Sequence, residues 1–269
     1  MRTHEKVLAS IESDLAAGRW ALGERLPGER ALAEELGVSR PSVREAVRIL
    51  EAMGIIKAGV GSGPDAGAKV IDRPAAGLGA AVRWHVASGT LPVGDLVDTR
   101  AALECWAVRD AAVRAGRRDD GVVGDGVQGT GVAGGGAGSA GAVSDAAGGV
   151  DAGAADRLAA AEDLLRRMSG DDVPLQTFIG LDQEFHLEIV RLAGNQLVEA
   201  ILVGLRGAVA SYVTRGAEAL PSWPTTATRL CAEHRQILDA VAAGDAERAQ
   251  RATSDHIWGF YRETGLADR

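Results

Sequence analysis

The pattern of apolar and polar positions predicts a chain that is almost entirely helical. Apolar residues recur at the three- and four-residue spacing of an α-helix in ten segments. These segments are residues 4–18, 29–37, 39–54, 75–88, 93–116, 156–169, 174–193, 196–217, 222–243 and 245–264. Residues 55–72 differ, because β-branched residues stand at both ends of a glycine-rich tip, a pattern typical of a two-stranded hairpin. The expected fold class is therefore mainly α.

Residues 119–155 interrupt the helical pattern. The segment consists mainly of Gly, Ala and Val with scattered Asp, and it contains no Leu, Ile or aromatic residue. Such a composition cannot bury enough apolar surface to offset the conformational entropy that ordering would cost. We interpret the segment as a disordered insertion between two helices, without a role in chemistry.

Charge and composition narrow the possible classes of function. The net charge is −8 and the isoelectric point is near 5.2, which argues against a protein that binds nucleic acid or anionic membrane over its whole surface. Residues 1–60 are neutral, with nine basic and nine acidic side chains, so a local DNA-reading surface stays possible. No window has the ~18 consecutive apolar residues of a membrane helix. Because Cys105 and Cys231 show no disulfide or metal spacing, we expect a cytoplasmic protein.

Residues 29–50 predict a helix-turn-helix, in which ERALAEEL and RPSVREAVRIL are joined by the short turn GVS. The hairpin follows as a wing, so we expect a winged helix-turn-helix domain over residues 1–72. On the second helix, Arg40, Arg44 and Arg48 lie four residues apart along one exposed face. A recognition helix carries arginines there, because guanidinium groups read guanine edges and bind phosphates.

Two serines extend this candidate DNA-binding surface, and the arginines also have a second interpretation. Ser39 and Ser42 stand near the N-terminus of the second helix, where hydroxyl and backbone N–H groups can donate to a phosphate. Alternatively, the arginines form an ordinary solvated face and pair with Glu45 and Glu51.

Residues 26–56, LPGERALAEELGVSRPSVREAVRILEAMGII, resemble the winged-helix domain of the GntR family of transcriptional regulators. The resemblance implies DNA contacts from the P-x-E-R arginine, the turn, the recognition helix and the wing glycine. Here these are Arg30, Ser39, Arg40, Ser42, Arg44 and Gly61. The wing GVGSGPDAGAKV is longer than the family's and lacks its aromatic residue. A small DNA-binding domain contacts few bases, and two copies on a two-fold symmetric site recognise a longer sequence. We therefore expect a homodimeric repressor on a palindromic double-stranded DNA operator.

The segment LDQEFHLEIV places Asp182 and His186 four positions apart, on one helix face, where both could bind a single ion. His234 and His256 have similar settings on later helices, and one carboxylate with three imidazoles can surround a cation in a bundle core. Alternatively, each histidine is a polar core residue without a metal. The residues alone leave both possibilities open.

Three motifs, LDQEFHLEIVRLAGN, EHRQILDAV and DHI, resemble the FCD ligand-binding domain of the FadR-type GntR branch. The resemblance implies an all-helical bundle over residues 73–269 that binds small molecules and forms dimers. It also implies that a divalent metal is held by Asp182, His186, His234 and His256. VDTRAALE resembles the start of the same domain and implies that Arg100 faces the carboxylate of an effector.

The implied site has a coherent chemistry. One aspartate and three neutral histidines around a divalent ion leave about one positive charge and, with six-coordination, about two open positions. These features suit a small organic or sugar acid, and the mixed donors fit Zn²⁺, Mn²⁺ and Ni²⁺ alike. A metal-dependent hydrolase with a DNA-binding appendage is the alternative, but it needs a general base beside the metal-bound water. Glu233 and Asp255 adjoin ligand histidines and point elsewhere on their helices, so we expect a sensor rather than an enzyme.

Overall fold

The computed structural model describes residues 2–59, 67–71, 74–119 and 146–265. Within these ranges the chain forms ten α-helices and one pair of strands, so the mainly α fold class is confirmed. The elements are α1 (Thr3–Ala16), α2 (Glu29–Glu35), α3 (Arg40–Ala52), β1 (Ile56–Gly59), β2 (Gly67–Val70), α4 (Pro74–Ala87), α5 (Val93–Asp119), α6 (Ala146–Met168), α7 (Leu175–Leu192), α8 (Gln196–Glu218), α9 (Trp223–Ala242) and α10 (Ala246–Glu263).

Two compact units divide the chain. The first comprises Met1–Leu91 with Val203–Ala208, and the second comprises Pro92–Leu202 with Val209–Arg269. No single helix in the described parts of the chain has the length and hydropathy needed to cross a membrane. One bent pair, Gln196–Ala208 with Ala210–Glu218, meets that criterion by length and composition only.

In the first unit, α2, α3 and the turn between them form the helix-turn-helix. Gly37 in the turn has a φ of +62°, a left-handed conformation that glycine adopts without a steric penalty. Ser39 caps α3, because its hydroxyl oxygen accepts a hydrogen bond from the backbone N–H of Ser42 at 3.4 Å. Val43 and Ala46 are fully buried on the opposite face of α3. The first residues of α3, Arg40 and Pro41, are exposed to solvent.

The wing is an antiparallel pair in which Ile56 lies opposite Val70 and Gly59 lies opposite Gly67. Ile56 is fully buried and shares a core with Val7 of α1. The tip between the strands, which includes Gly61, lies outside the described residues.

Helix α4 belongs to the first unit, which therefore reaches Leu91 rather than the expected domain end at residue 72. A close crossing between α4 and part of α8 explains the extension: a Cβ atom built on Gly79 would lie 3.0 Å from the Cα atom of Gly204. Only residues without a side chain allow two backbones to meet this closely.

In the second unit, α5, α6, α7, α9 and α10 surround one apolar core. The side chains of Phe178, Phe185 and Ile237 are at most 1% exposed within it. Helices α7, α9 and α10 thus present one face each to a common interior.

Helix α6 begins at Ala146, ten residues before the predicted start at residue 156. The structure therefore includes in a helix the residues 146–155 that the sequence analysis assigned to the insertion. Within this stretch Ala154 is only 8% exposed, so its side chain packs although no large apolar residue stands nearby in the sequence. The remainder of the expected insertion, residues 120–145, lies outside the described residues.

Candidate metal centre and nucleic-acid interface

Four side chains from three helices of the second unit converge on one point. Asp182 and His186 come from α7, His234 from α9 and His256 from α10, and their ligand atoms lie within 4.8 Å of one another. His186 Nε2 lies 3.1 Å from His256 Nε2 and 3.3 Å from His234 Nε2. Asp182 Oδ1 lies 3.1 Å from His234 Nε2 and 3.7 Å from His186 Nε2.

The cluster is held inside the bundle by its apolar neighbours. His186 is 2% exposed, His234 is 0% exposed and His256 is 4% exposed. Phe185, adjacent to His186 on α7, packs against the His234 ring with centroids 4.7 Å apart. The amphipathic pattern of α7 therefore directs both the aromatic anchor and the ligand pair inward.

Two carboxylates contact the outer edges of two of these imidazoles. Glu104 Oε2 lies 3.0 Å from His186 Nδ1, and Glu233 Oε2 lies 2.9 Å from His256 Nδ1. A carboxylate can only accept, so the hydrogen bond with Glu233 places the proton of the His256 ring on Nδ1. The negative charge of Glu104 beside Nδ1 favours the same tautomer of His186. The Nε2 atoms of His186 and His256 then carry lone pairs, and they face each other at 3.1 Å.

Such an arrangement fits a bound cation. Facing lone pairs repel unless a positive ion or a proton lies between them. Ions bound by histidine and carboxylate at about 2.0–2.2 Å require donor atoms about 3–3.5 Å apart, close to the spacing found here. Carboxylates that orient ligand histidines from behind are common at such sites. Asp182, His186, His234 and His256 could together hold one divalent ion.

The electrostatics of the cluster agree with this fit. Burial alone would raise the pKa of the Asp182 carboxyl, but the hydrogen bond from His234 and the nearby imidazoles hold it well below its usual range. Burial, together with the neighbouring His256, lowers the pKa of His234 to about 3. A charged carboxylate and a neutral imidazole are the protonation states that a metal ligand needs.

Arg100 lies beside the cluster on α5, with a side chain that is buried. Its Nε donates to Glu104 Oε1 at 2.8 Å, and its Nη1 donates to the Tyr261 hydroxyl at 3.1 Å. Burial lowers the pKa of this guanidinium, but Glu104 and Tyr261 outweigh that effect and raise it overall. Arg100 is therefore a permanent buried cation.

A pocket with a cavity volume of about 30 Å³ adjoins the cluster and is partly open to solvent. Its polar lining includes Arg100, Asp182 and His256. Its apolar lining includes Phe178 and Trp223, whose rings meet edge to face with centroids 5.1 Å apart. The pocket thus combines a fixed cation, potential metal ligands and apolar walls.

The sequence analysis missed the carboxylate contacts. It expected Glu233 to point away from the ligand histidines, which holds for His234 on the same helix, but the carboxylate reaches His256 on α10. Glu104 was not among the predicted site residues, yet it contacts both Arg100 and His186. One of these contacts could have been expected from the sequence: Arg100 and Glu104 are four residues apart, so they lie on the same face of α5.

In the first unit, the side chains of Arg30, Arg40 and Arg44 are exposed on the helix-turn-helix. Arg30 Nε lies 3.8 Å from Glu34 Oε1. Arg44 pairs with Glu29 of α2 rather than with Glu45 or Glu51, and its Nη2 lies 3.1 Å from Glu29 Oε2. This ion pair raises the pKa of Arg44.

The hydroxyl groups of Ser39 and Ser42 lie 2.9 Å apart at the exposed start of α3. Together with Arg40 at the first helical position, they form a small polar surface at a helix N-terminus, where anions bind favourably. Gly61 cannot be placed relative to this surface, since it lies outside the described residues.

Comparison with known proteins decides the family. Residues 3–64 match the bacterial regulatory proteins of the gntR family, and residues 140–258 match the FCD domain. The chain belongs to the GntR family of transcriptional regulators. It is a DNA-binding regulator with an FCD domain.

Two relatives of this regulator are named as regulators of bacterial operons. The Glc operon transcriptional activator of Escherichia coli (strain K12) is 28% identical over 255 residues, which cover 94% of this chain and 85% of that protein. The Uxu operon regulator of Haemophilus influenzae is 31% identical over 121 residues, which cover 44% of this chain and 41% of that protein. Among solved structures, Streptococcus agalactiae GntR has a similar fold, with a TM-score of 0.55 and 19% identity over 96% of this chain and 99% of that one.

Proposed function

We propose that this GntR-family regulator represses transcription and releases its operator when a small carboxylate binds at a metal site in its FCD domain. The observation that carries this proposal is the shared lining of one pocket by Arg100, Asp182 and His256. A pocket with a fixed guanidinium beside metal ligands favours a small acid over a neutral ligand.

The DNA contacts follow from the exposed surface of the helix-turn-helix. Arg40 and Arg44 would reach base edges in the major groove, where guanidinium groups bind guanine through two hydrogen bonds. Arg30, Ser39 and Ser42 would bind phosphates and fix the register of α3 on the duplex. Gly61 of the wing would contact the backbone nearby.

The four candidate ligands would hold one divalent ion, which when bound supplies a Lewis-acidic position for an anion. Zn²⁺, Mn²⁺ and Ni²⁺ all suit these donors. Arg100 would bind and orient the carboxylate of an organic or sugar acid, while the apolar walls would contact the rest of the ligand. Glu104 and Glu233 lie behind ligand histidines, away from the Nε2 side, so neither is positioned as a general base. This arrangement favours sensing over hydrolysis.

The regulator would act in the cytoplasm as a homodimer on a palindromic operator, since a single small DNA-binding domain contacts too few bases to be specific. The direction of control needs its own test, because the Glc operon relative is named an activator. A reporter fused to the operator should rise in expression when the gene for this protein is deleted. A fall in expression would identify an activator instead.

Operator release is the direct test of the proposed function. Footprinting of the DNA upstream of the protein's own gene should reveal a symmetric protected site. A thermal-shift screen of small carboxylates, with metal-loaded and chelator-treated protein, should then find acids that stabilise only the loaded form. Protein that binds no DNA selectively but hydrolyses small esters or amides in a chelator-sensitive manner would support the hydrolase instead.

A further inference from the structure

Glu104 occupies an unusual position between the two halves of the candidate effector site. Its side chain is 1% exposed, so it has almost no access to solvent. One oxygen, Oε1, accepts from Arg100 Nε at 2.8 Å, while the other, Oε2, lies 3.0 Å from His186 Nδ1. A single buried carboxylate therefore contacts both the guanidinium that lines the pocket and a candidate metal ligand.

We propose that Glu104 is a positioning residue that couples the metal affinity of the site to the position of the Arg100 guanidinium. This inference rests on the proposed metal site and deepens it by assigning the connection between its metal and effector parts. Glu104 holds the proton of His186 on Nδ1, so that the lone pair of Nε2 is directed toward the ion. Arg100 in turn fixes the carboxylate of Glu104 toward His186.

The chemistry of the position requires a carboxylate. Arg100 Nε donates to one oxygen, and a proton on His186 Nδ1 would face the other at 3.0 Å, so only a carboxylate of this length suits both neighbours. A glutamine could accept from one of them, but its amide N–H₂ would then face the other donor. Glu104→Gln therefore keeps the shape of the side chain and removes one of its two contacts.

Any rearrangement of Arg100 is transmitted along this path. An anion that draws the guanidinium toward the pocket changes the hydrogen bond from Nε and with it the orientation of Glu104. His186 is then held differently, and the affinity of the four ligands for the metal changes. By linkage, the metal must change the affinity for the anion by the same factor.

The test is a double-mutant cycle with Zn²⁺ as the only probe, measured by competition with a chelating dye on the full-length protein. The variants are Glu104→Gln, Arg100→Met and the combination. Glu104→Gln should weaken Zn²⁺ binding about 10- to 100-fold, the usual effect of removing a residue that orients a metal ligand. Arg100→Met should weaken it in the wild-type background and have no further effect beside Glu104→Gln.

Two matched controls separate this path from general damage. Arg109→Met removes another α5 arginine that bonds to α10, through Gln250 at 3.1 Å, and should leave Zn²⁺ affinity unchanged. Glu188→Gln removes a carboxylate of α7 that pairs with Arg157 at 3.1 Å and should also leave it unchanged. Losses for Arg100→Met and Glu104→Gln that simply multiply in the double variant would overturn the coupling.

A measurement on the wild-type protein covers the case in which a variant does not fold. In ¹⁵N-histidine spectra of metal-free protein, the His186 ring should carry its proton on Nδ1. A proton on Nε2 would overturn the role of Glu104. Wild-type protein that binds no Zn²⁺ would overturn the proposed metal site and this inference together. If the wild type binds Zn²⁺ and the fold-losses of the two single variants multiply in the double variant, the inference alone is overturned.

Discussion

Arg44 of α3 and Glu29 of α2 form an ion pair across the helix-turn-helix, with Arg44 Nη2 3.1 Å and Nε 3.2 Å from Glu29 Oε2. The pair fixes the direction of a guanidinium on the exposed face of α3 before any DNA is present. A guanidinium held in place loses less conformational entropy when it binds a base edge than a mobile one does.

Arg44→Ala should lower operator affinity about 5- to 150-fold if the contact is to a base. Fluorescence anisotropy with labelled operator DNA measures the loss. Arg166→Ala, which removes an exposed arginine of α6, is the control and should change nothing. An equal loss on operator and unrelated DNA would instead assign Arg44 to a phosphate.

Glu29→Gln should reduce the discrimination between operator and unrelated DNA. The substitution removes a negative charge that repels phosphates, so nonspecific affinity rises, and it weakens the fixation of Arg44. The ratio of the two dissociation constants, measured at one salt concentration, should fall several-fold. An unchanged ratio would show that the ion pair has no part in recognition.

Two glycine-to-alanine substitutions should have opposite effects on stability. Gly79→Ala places a Cβ atom 3.0 Å from Gly204 Cα and should destabilise the fold by about 1–3 kcal/mol. Gly180→Ala, within α7, has no atom within 4 Å of the new Cβ and should stabilise by about 0.5–1 kcal/mol, because alanine favours the helix. Denaturant unfolding of both variants tests the close crossing of α4 and α8.

A carboxylate found by the thermal-shift screen should release operator DNA from metal-loaded protein. Coupling between effector and operator sites is typically ~1–3 kcal/mol, or a 5- to 150-fold change in affinity. Operator anisotropy with and without the acid gives the factor. An acid that stabilises the chelator-treated protein equally well would mean that the effector does not need the metal.

Periodicity predicted most of the fold, because large apolar residues mark one face of nearly every helix. It did not indicate the start of α6, because residues 146–155 contain no large apolar residue that could mark a helix face. It could predict that Asp182 and His186 share a face, since they lie on one helix. It could not predict that Glu233 contacts His256 or that Glu29 contacts Arg44, because tertiary packing brings these pairs together.

The convergence of Asp182, His186, His234 and His256 is the central feature of this account. The most direct test is the metal content of purified protein, determined by elemental analysis of the wild type and of His234→Ala. We predict about one divalent ion per wild-type chain and a loss of most of it in the variant, because a three-ligand remnant holds metal far less firmly. Wild-type protein without metal, even after incubation with Zn²⁺, Mn²⁺ or Ni²⁺, would contradict the account and leave the three histidines as buried polar residues.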